Sequence, residues 1–262
     1  MSHKTLVNGT AYEVKGGKCL VNGTAYSIKK GRTLIGGTGY DITFGPSYDP
    51  VFANNTWEQI IAACHSGSAP SAWAVGNSKP MTIGGVDYQI DIIGKNHDDY
   101  SDRSGKAPLT FQLHDCYRKY WINDSSTNGG GWKSCYMRQT YMPIILAGMP
   151  TEVQNGIREV NKLTSAGSQS GTINTTADKL FLLSEIEIFG RVSYSKRGEG
   201  TQYDYYKAGN SKVKKYNGSA SYWWERSPYG SDSTNFCIVR SDGRASRSGA
   251  SSAYGVAFGF CF

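Results

Sequence analysis

Tyr222-Trp223-Trp224-Glu225-Arg226-Ser227-Pro228 and Tyr254-Gly255-Val256-Ala257-Phe258-Gly259-Phe260-Cys261-Phe262 bracket the stretch that decides how this chain is read. Both ends are aromatic and strand-like. Trp223 and Trp224 carry large apolar area, and Val256, Phe258, Phe260 and Phe262 alternate with Ala257, Gly259 and Cys261 at the period of a strand. Between them, residues 229–253 mix Ser, Gly, Asp, Arg, Asn and Tyr in no periodic order. Tyr and Arg suit contact anchors, and Ser, Gly and Asn adapt to a partner, so the composition is that of a set of binding loops. The expected framework is Trp223, Trp224, Phe236, Val239 and Phe258.

The expected ligand face is made of positions that no core pattern claims. These are Tyr229, Asp232, Ile238, Arg240, Arg244, Arg247, Ser248 and Tyr254, with Ser231, Ser246 and Ser252 as smaller neighbours. An absence sharpens this reading. From Ser227 to Phe262 there is no Lys, Glu, Gln, Met or Trp, although Lys and Glu are among the commonest residues. Those five amino acids are unreachable from an Asn codon when only its two adenines are randomised. The stretch therefore resembles the variable region, about residues 227–254, of a diversity-generating-retroelement target protein. The alternative is a Gly/Ser-rich terminus that lacks the five by chance.

Working outward, a helix is expected at about 56–66, where Thr56-Trp57-Glu58-Gln59 has the form of a capping box and Trp57, Ile60, Ile61 and Cys64 share a face. A second is expected at about 152–163, opened by Thr151-Glu152-Val153-Gln154 and buried through Val153, Ile157, Val160 and Leu163. Met81 to Ile90 reads as a hairpin turning at Gly84-Gly85, and Leu109 to Leu113 as a strand. Asp178 to Phe189 reads as a buried strand with Glu185 and Glu187 on one polar side. Two helices with many short strands predict an α+β domain over 55–262, built on a twisted, mostly antiparallel sheet.

At the other end, Leu6, Leu20 and Leu34 open three copies of one unit, LVNGTAYEV, LVNGTAYSI and LIGGTGYDI. Each reads as a β-hairpin turning at Asn8-Gly9, Asn22-Gly23 or Gly36-Gly37. So small a unit buries too little apolar surface alone, and residues 1–44 are expected to be an assembly or attachment module. Residues 45–54 then form a linker.

Composition excludes several classes. The net charge of +7 comes without a Lys/Arg tract, so a nucleic-acid groove is not expected. No apolar run is long enough to span a membrane, and the N-terminus has no signal-peptide core. The six cysteines lack CxxC spacing, which argues for buried free thiols; Cys237 and Cys261 are expected to lie nearest one another. His97-Asp98-Asp99 with Asp102 lacks the spacing of a calcium loop and reads as a solvated turn. His114-Asp115-Cys116 reads as structural, and Gly129-Gly130-Gly131 has no phosphate-loop Lys-Ser/Thr. No catalytic residue, metal ligand or cofactor is expected.

Together, Ile92 to Asp99 (IIGKNHDD), LTFQ from Leu109, GGWKSCYMR from Gly130, DKLFLLSEIE from Asp178, EGTQYDYY from Glu199, WWERSP from Trp223 and YGVAFGFC from Tyr254 resemble an uncharacterised domain family of gut Firmicutes phages and prophages. The resemblance covers about residues 55–262. Glu225 departs from it, standing where that family usually has an apolar residue. The family is similar in plan to C-type lectin-like and formylglycine-generating-enzyme-like folds. The N-terminal repeats resemble modules of phage tail proteins. The resemblance implies a tail-associated protein that binds a host-cell surface receptor, protein or glycan, with tail or baseplate partners, a homo-oligomer such as a trimer, and a place in the virion tail. A formylglycine-generating-type enzyme, needing a copper-binding cysteine pair, and a bacterial surface adhesin are the alternatives.

Overall fold

Trp57 at the first helix and Phe262 at the last residue meet edge to face, with ring centroids 6.1 Å apart, so the larger unit closes on its own ends. The computed structural model describes residues 47–262 in full and, of the N-terminal repeats, the strand segments. The chain divides into units Met1–Asp49 and Pro50–Phe262.

In the first unit, strands β1 (Lys4–Val7), β2 (Thr10–Glu13), β3 (Gly17–Val21), β4 (Thr24–Ile28), β5 (Lys30–Ile35) and β6 (Thr38–Thr43) pair in sequence as three antiparallel hairpins. Their innermost pairs are Val7 with Thr10, Val21 with Thr24 and Ile35 with Thr38, one register repeated three times. The turn residues themselves fall outside the described residues, as does the side chain of Cys19.

The second unit begins earlier than residue 55. Phe52, assigned by sequence to the linker, is buried against Trp57, Trp73 and Phe111. Helix α1 (Trp57–His65) follows, with the expected capping box: Thr56 Oγ1 accepts from Gln59 N, and Gln59 Oε1 accepts from Thr56 N. Strands β7 (Ser78–Ile83) and β8 (Val86–Lys95) form the expected hairpin. Its Gly84-Gly85 turn has φ of 58° and 82°, a conformation that costs glycine little. Strand β9 (Leu109–Leu113) is wholly buried. Its alternation places Phe111 on the aromatic core with Phe52, Trp57 and Phe262. Thr110 and Gln112 look the other way, to Asp98 and Tyr206. Burying a side chain such as Phe111 contributes about 2–3 kcal/mol.

Past β10 (Lys119–Tyr120), the chain forms α2 (Gly131–Ser134), a π-helical turn at Met137–Tyr141, and α3 (Met142–Ala147). The expected helix over 152–163 is cut short. Helix α4 is Thr151–Gly156, its N-cap is Pro150 with no side-chain cap, and Ile157 is already extended. A Cβ on Gly156 would sit 2.7 Å from Ile61 Cδ1, so Asn155-Gly156 both weakens the helix and lets it approach α1. Val160 and Leu163, read as a helical stripe, belong to β11 (Val160–Ser165), which pairs with β12 (Ile173–Asp178).

The expected strand over 178–189 is also corrected. Ser184 Oγ accepts from Glu187 N and Glu187 reaches back to Ser184 N, a capping box that starts α5 (Glu185–Phe189). Glu185 and Glu187 are buried, not a polar strand face. After α6 (Asp204–Lys207) and the hairpin β13 (Lys214–Tyr216) and β14 (Ser219–Ser221) come β15 (Trp223–Pro228), β16 (Asn235–Val239), β17 (Ala245–Gly249), β18 (Tyr254–Gly255) and β19 (Gly259–Cys261). Two larger sheets result, in the orders β19-β9-β8-β7 and β10-β18-β15-β16-β17. Of their pairings only β15 with β18 is parallel. The unit is thus mixed α+β with several sheets and few helices. The terminal strand spans only β19, yet every residue from Val256 to Phe262 is buried, because both its faces are covered. Among the described residues no helix is long and apolar enough to cross a membrane.

Candidate functional site

Between β15 and β18 the chain makes two connections and an edge hairpin. Asp232 organises the first loop. Its Oδ1 accepts from Thr234 N and Asn235 N, and its Oδ2 from the Asn235 amide. Asn128, which has no sequence signature, clamps the loop base. Its amide donates to Asp232 O and Asn235 O, while its Oδ1 accepts from Ser168 N. Beside it, Gly131 adopts φ 58°, and a Cβ there would lie 2.0 Å from Ser165 O. The glycine-rich turn is a close backbone contact under the loop.

The β16–β17 hairpin turns through Arg240–Arg244, where Arg244 N donates to Asp242 Oδ1. Its register pairs Cys237 with Arg247 and Phe236 with Ser248, with β17 at the sheet edge. Strand alternation therefore splits the predicted face in two. Arg247 lies with its guanidinium 4.6 Å from the Tyr229 ring centroid and 5.4 Å from that of Tyr194. Ser248 instead donates to Tyr254 Oη at 3.1 Å, and Tyr254 packs on Trp224 and Tyr222.

Of the other predicted positions, Ser231 is exposed, and Ser246 and Ser252 are half-buried. Arg244 forks onto Asp242, and Arg240 lies 3.6 Å from the same carboxylate. Ile238 is a correction. It is buried opposite Trp224, as is every residue from Phe236 to Val239, because β16 lies inside its sheet between β15 and β17 with both faces covered. The expected framework residues Trp223, Trp224, Phe236, Val239 and Phe258 are all fully buried.

Tyr194 is a member of the face that sequence reading missed. The buried Glu185 carboxylate accepts from Ser193 N, Tyr194 N, Ser195 N and Ser195 Oγ, fixing the loop that brings Tyr194 to Tyr229. Tyr120, cross-strand from Tyr254, extends the other subset through its stacked contact with Tyr141.

The acidic candidates resolve differently from expectation. Asp98 is not a solvated turn residue. It is buried, accepts from Lys162, Tyr203 and Thr110, and burial's upward push on it is outweighed by Lys162, so it ionises below the usual range. Asp99 pairs with Lys106 and Asp102 with Arg158, so the three carboxylates do not converge. Among the described residues no cluster of His, Cys, Asp and Glu could hold a metal ion. His114 Nδ1 bonds Asp91 Oδ2 at 2.7 Å, Asp115 accepts from Lys215 N, and Cys116 is buried with its thiol pushed up to about 12 by burial. These three have no common target.

The described cysteines are buried free thiols. Cys237 and Cys261, expected to be neighbours, sit in different sheets. The Cys237 thiol turns to Pro228 O, the Cys261 thiol to Asp98 and Thr110, and they do not form the cysteine pair a copper site needs. An open cleft of about 460 Å³ lies between Arg138, Met142, Leu146, Glu159 and Lys179, and Arg138 is held there by Asp178 at 2.6 Å. Glu225 is fully buried and its carboxyl has no hydrogen-bond partner among the described residues. Burial, with Glu185 and Glu199 nearby, raises it well above its ordinary 4.5.

Residues 106–261, more than half the chain, match a family described as a domain of unknown function, DUF6273. The chain belongs to this family. No curated protein and no solved structure matches it. The DUF6273 segment contains β9, the Asn128 clamp, the Glu185-held loop and the whole edge hairpin.

Proposed function

We propose that the Pro50–Phe262 unit is a C-type lectin-like binding domain. Its loops between β15 and β18 are the retroelement-diversified, receptor-binding surface of a phage or prophage tail protein. The N-terminal hairpins serve attachment to the particle and assembly of a homo-oligomer, for which a trimer is the working expectation. The receptor is a protein or glycan of the host-cell surface.

The observation that carries this reading is the joint pattern of Ser227–Phe262. The stretch lacks all five amino acids that randomised Asn-codon adenines cannot encode. Its exposed residues sit on loops and an edge strand, over a framework that is buried. Surface variation at such positions leaves the core packing intact.

The test is adsorption of the labelled full-length chain to a panel of gut Firmicutes cells. The parent should bind a subset of strains, and the Tyr229, Arg244 and Tyr254 triple alanine variant should lose that binding while still melting cooperatively. Unchanged adsorption by the folded variant would place the site elsewhere. Related genomes should carry a reverse transcriptase and a near-identical template repeat beside the gene.

A further inference from the structure

We infer that the receptor carries an anionic group, a carboxylate or a phosphodiester, which is taken at Arg247 in a site completed by the Tyr194–Lys196 loop. This rests on the receptor-binding reading above and deepens it by naming the ligand chemistry. The three arginines of the face are not equivalent. Arg244 spends its fork on Asp242 at 2.9 and 2.6 Å, and Arg240 shares the same carboxylate. The Arg247 side chain has no hydrogen bond or ion pair with any described residue. It is exposed, and two tyrosine rings carry its guanidinium.

Rings beneath a guanidinium fix its plane and leave its edge donors outward, the geometry that a carboxylate or phosphate meets with two parallel hydrogen bonds. The rings are themselves held. Tyr229 N donates to Asn235 O, and the Tyr194 backbone is gripped by the buried Glu185. Such preorganisation lowers the ordering cost of binding.

Two further cations belong to the neighbouring loop. A Cβ on Gly230 would meet Lys196 Cε at 3.1 Å, so the Lys196 stem lies over the residue next to Tyr229, and Arg197 is exposed beside it. The acid of this loop, Asp232, is saturated by its own turn. An anion on the Arg247 fork leaves the neighbouring tyrosine edges free to meet the C–H face of a sugar or glycerol unit. The two sources of that chemistry are a phosphodiester-linked polymer and a uronic-acid polysaccharide.

Isothermal titration of the full-length chain with poly(glycerol phosphate), polygalacturonate and neutral dextran distinguishes them. One or both polyanions should bind and dextran should not. Binding should weaken severalfold between about 50 and about 500 mM NaCl, as screening requires. Arg247→Gln should lose about tenfold or more in affinity, the size of a charge-assisted bond. Arg247→Lys should fall between, since an ammonium has no fork, and Lys207→Gln, which removes an exposed charge at the end of α6, should bind like the parent. Failure of both polyanions to bind, or equal binding by Arg247→Gln, overturns the inference. If cell adsorption is still lost in the triple alanine variant, the receptor-binding reading stands without it. Polyanion binding by a parent that adsorbs to no cell sinks that reading instead.

Discussion

Arg226 donates from both terminal nitrogens to the carboxylate of Glu187, in a place where neither side chain reaches solvent. The same guanidinium reaches the carbonyls of Leu163, Leu182 and Glu199, so β15 is tied to β11 and α5 just before the loops of the candidate face begin. Lys162 extends the network from Glu187 to Asp98 at 2.8 Å on each side. Buried ion pairs give little net stability over an apolar core, but losing one partner strands a charge. Arg226→Met should therefore cost about 3–5 kcal/mol in urea unfolding. Arg226→Met with Glu187→Met should recover part of it.

Glu225 on the same strand should behave in the opposite way. Its buried carboxyl satisfies no hydrogen bond, and such a group costs about 1–3 kcal/mol. Glu225→Met should raise the melting temperature at pH 7. Its pH dependence has a definite sign. The unfolded carboxyl ionises near 4.5 and the folded one well above. Its contribution is therefore fully present below about pH 4.5 and is lost as pH rises through the folded value, at about 1.4 kcal/mol per unit between the two. The gain from Glu225→Met should thus be larger at pH 7 than at pH 4.5. Equal gains at both would show that Glu225 ionises normally.

Asp98 and Glu187 supply the acid limb. Burial pushes both upward, but Lys162 at Asp98 and Arg226 with Lys162 at Glu187 hold them below 3.8 and 4.5. Groups lowered on folding stabilise above their unfolded values and lose that contribution as pH falls through the folded ones. Thermal melts should show stability dropping below about pH 4 in the parent and in Glu225→Met alike.

Arg244 and Trp223 should separate surface from framework. Arg244→Ala removes a side chain that is 76% exposed and should change stability by less than about 0.5 kcal/mol. Trp223→Ala empties a fully buried site and should cost about 3–5 kcal/mol. Tyr254, half-buried against Trp224, should fall between them. Chemical denaturation of the three variants measures this ordering.

Removing residues 1–49 should leave the Pro50–Phe262 unit with an unchanged melting transition, because that unit is compact by itself. The association state should change, as measured by light scattering, if the hairpins assemble the particle. An unchanged mass would remove that role from them.

Sequence alone determined what depends on neighbours along the chain. Thr56 and Gln59 specify the start of α1, Gly84-Gly85 the β7–β8 turn, and the repeated LVNGTAY unit its hairpins, because caps and tight turns are closed by residues two to four positions apart. Only tertiary structure decided the elements whose partners are remote. Val160 and Leu163 fit a helical stripe as well as a strand, and pairing with β12 chose the strand. Glu187 fits a polar strand face until Arg226, far along the chain, supplies its counter-charge and Ser184 its cap. The face followed the same rule. Its exposed composition was legible, but Ile238 was removed from it by burial of the inner strand β16, and Tyr194 joined it through a buried glutamate. Strand period fixes which residues alternate, and only packing fixes which side meets water.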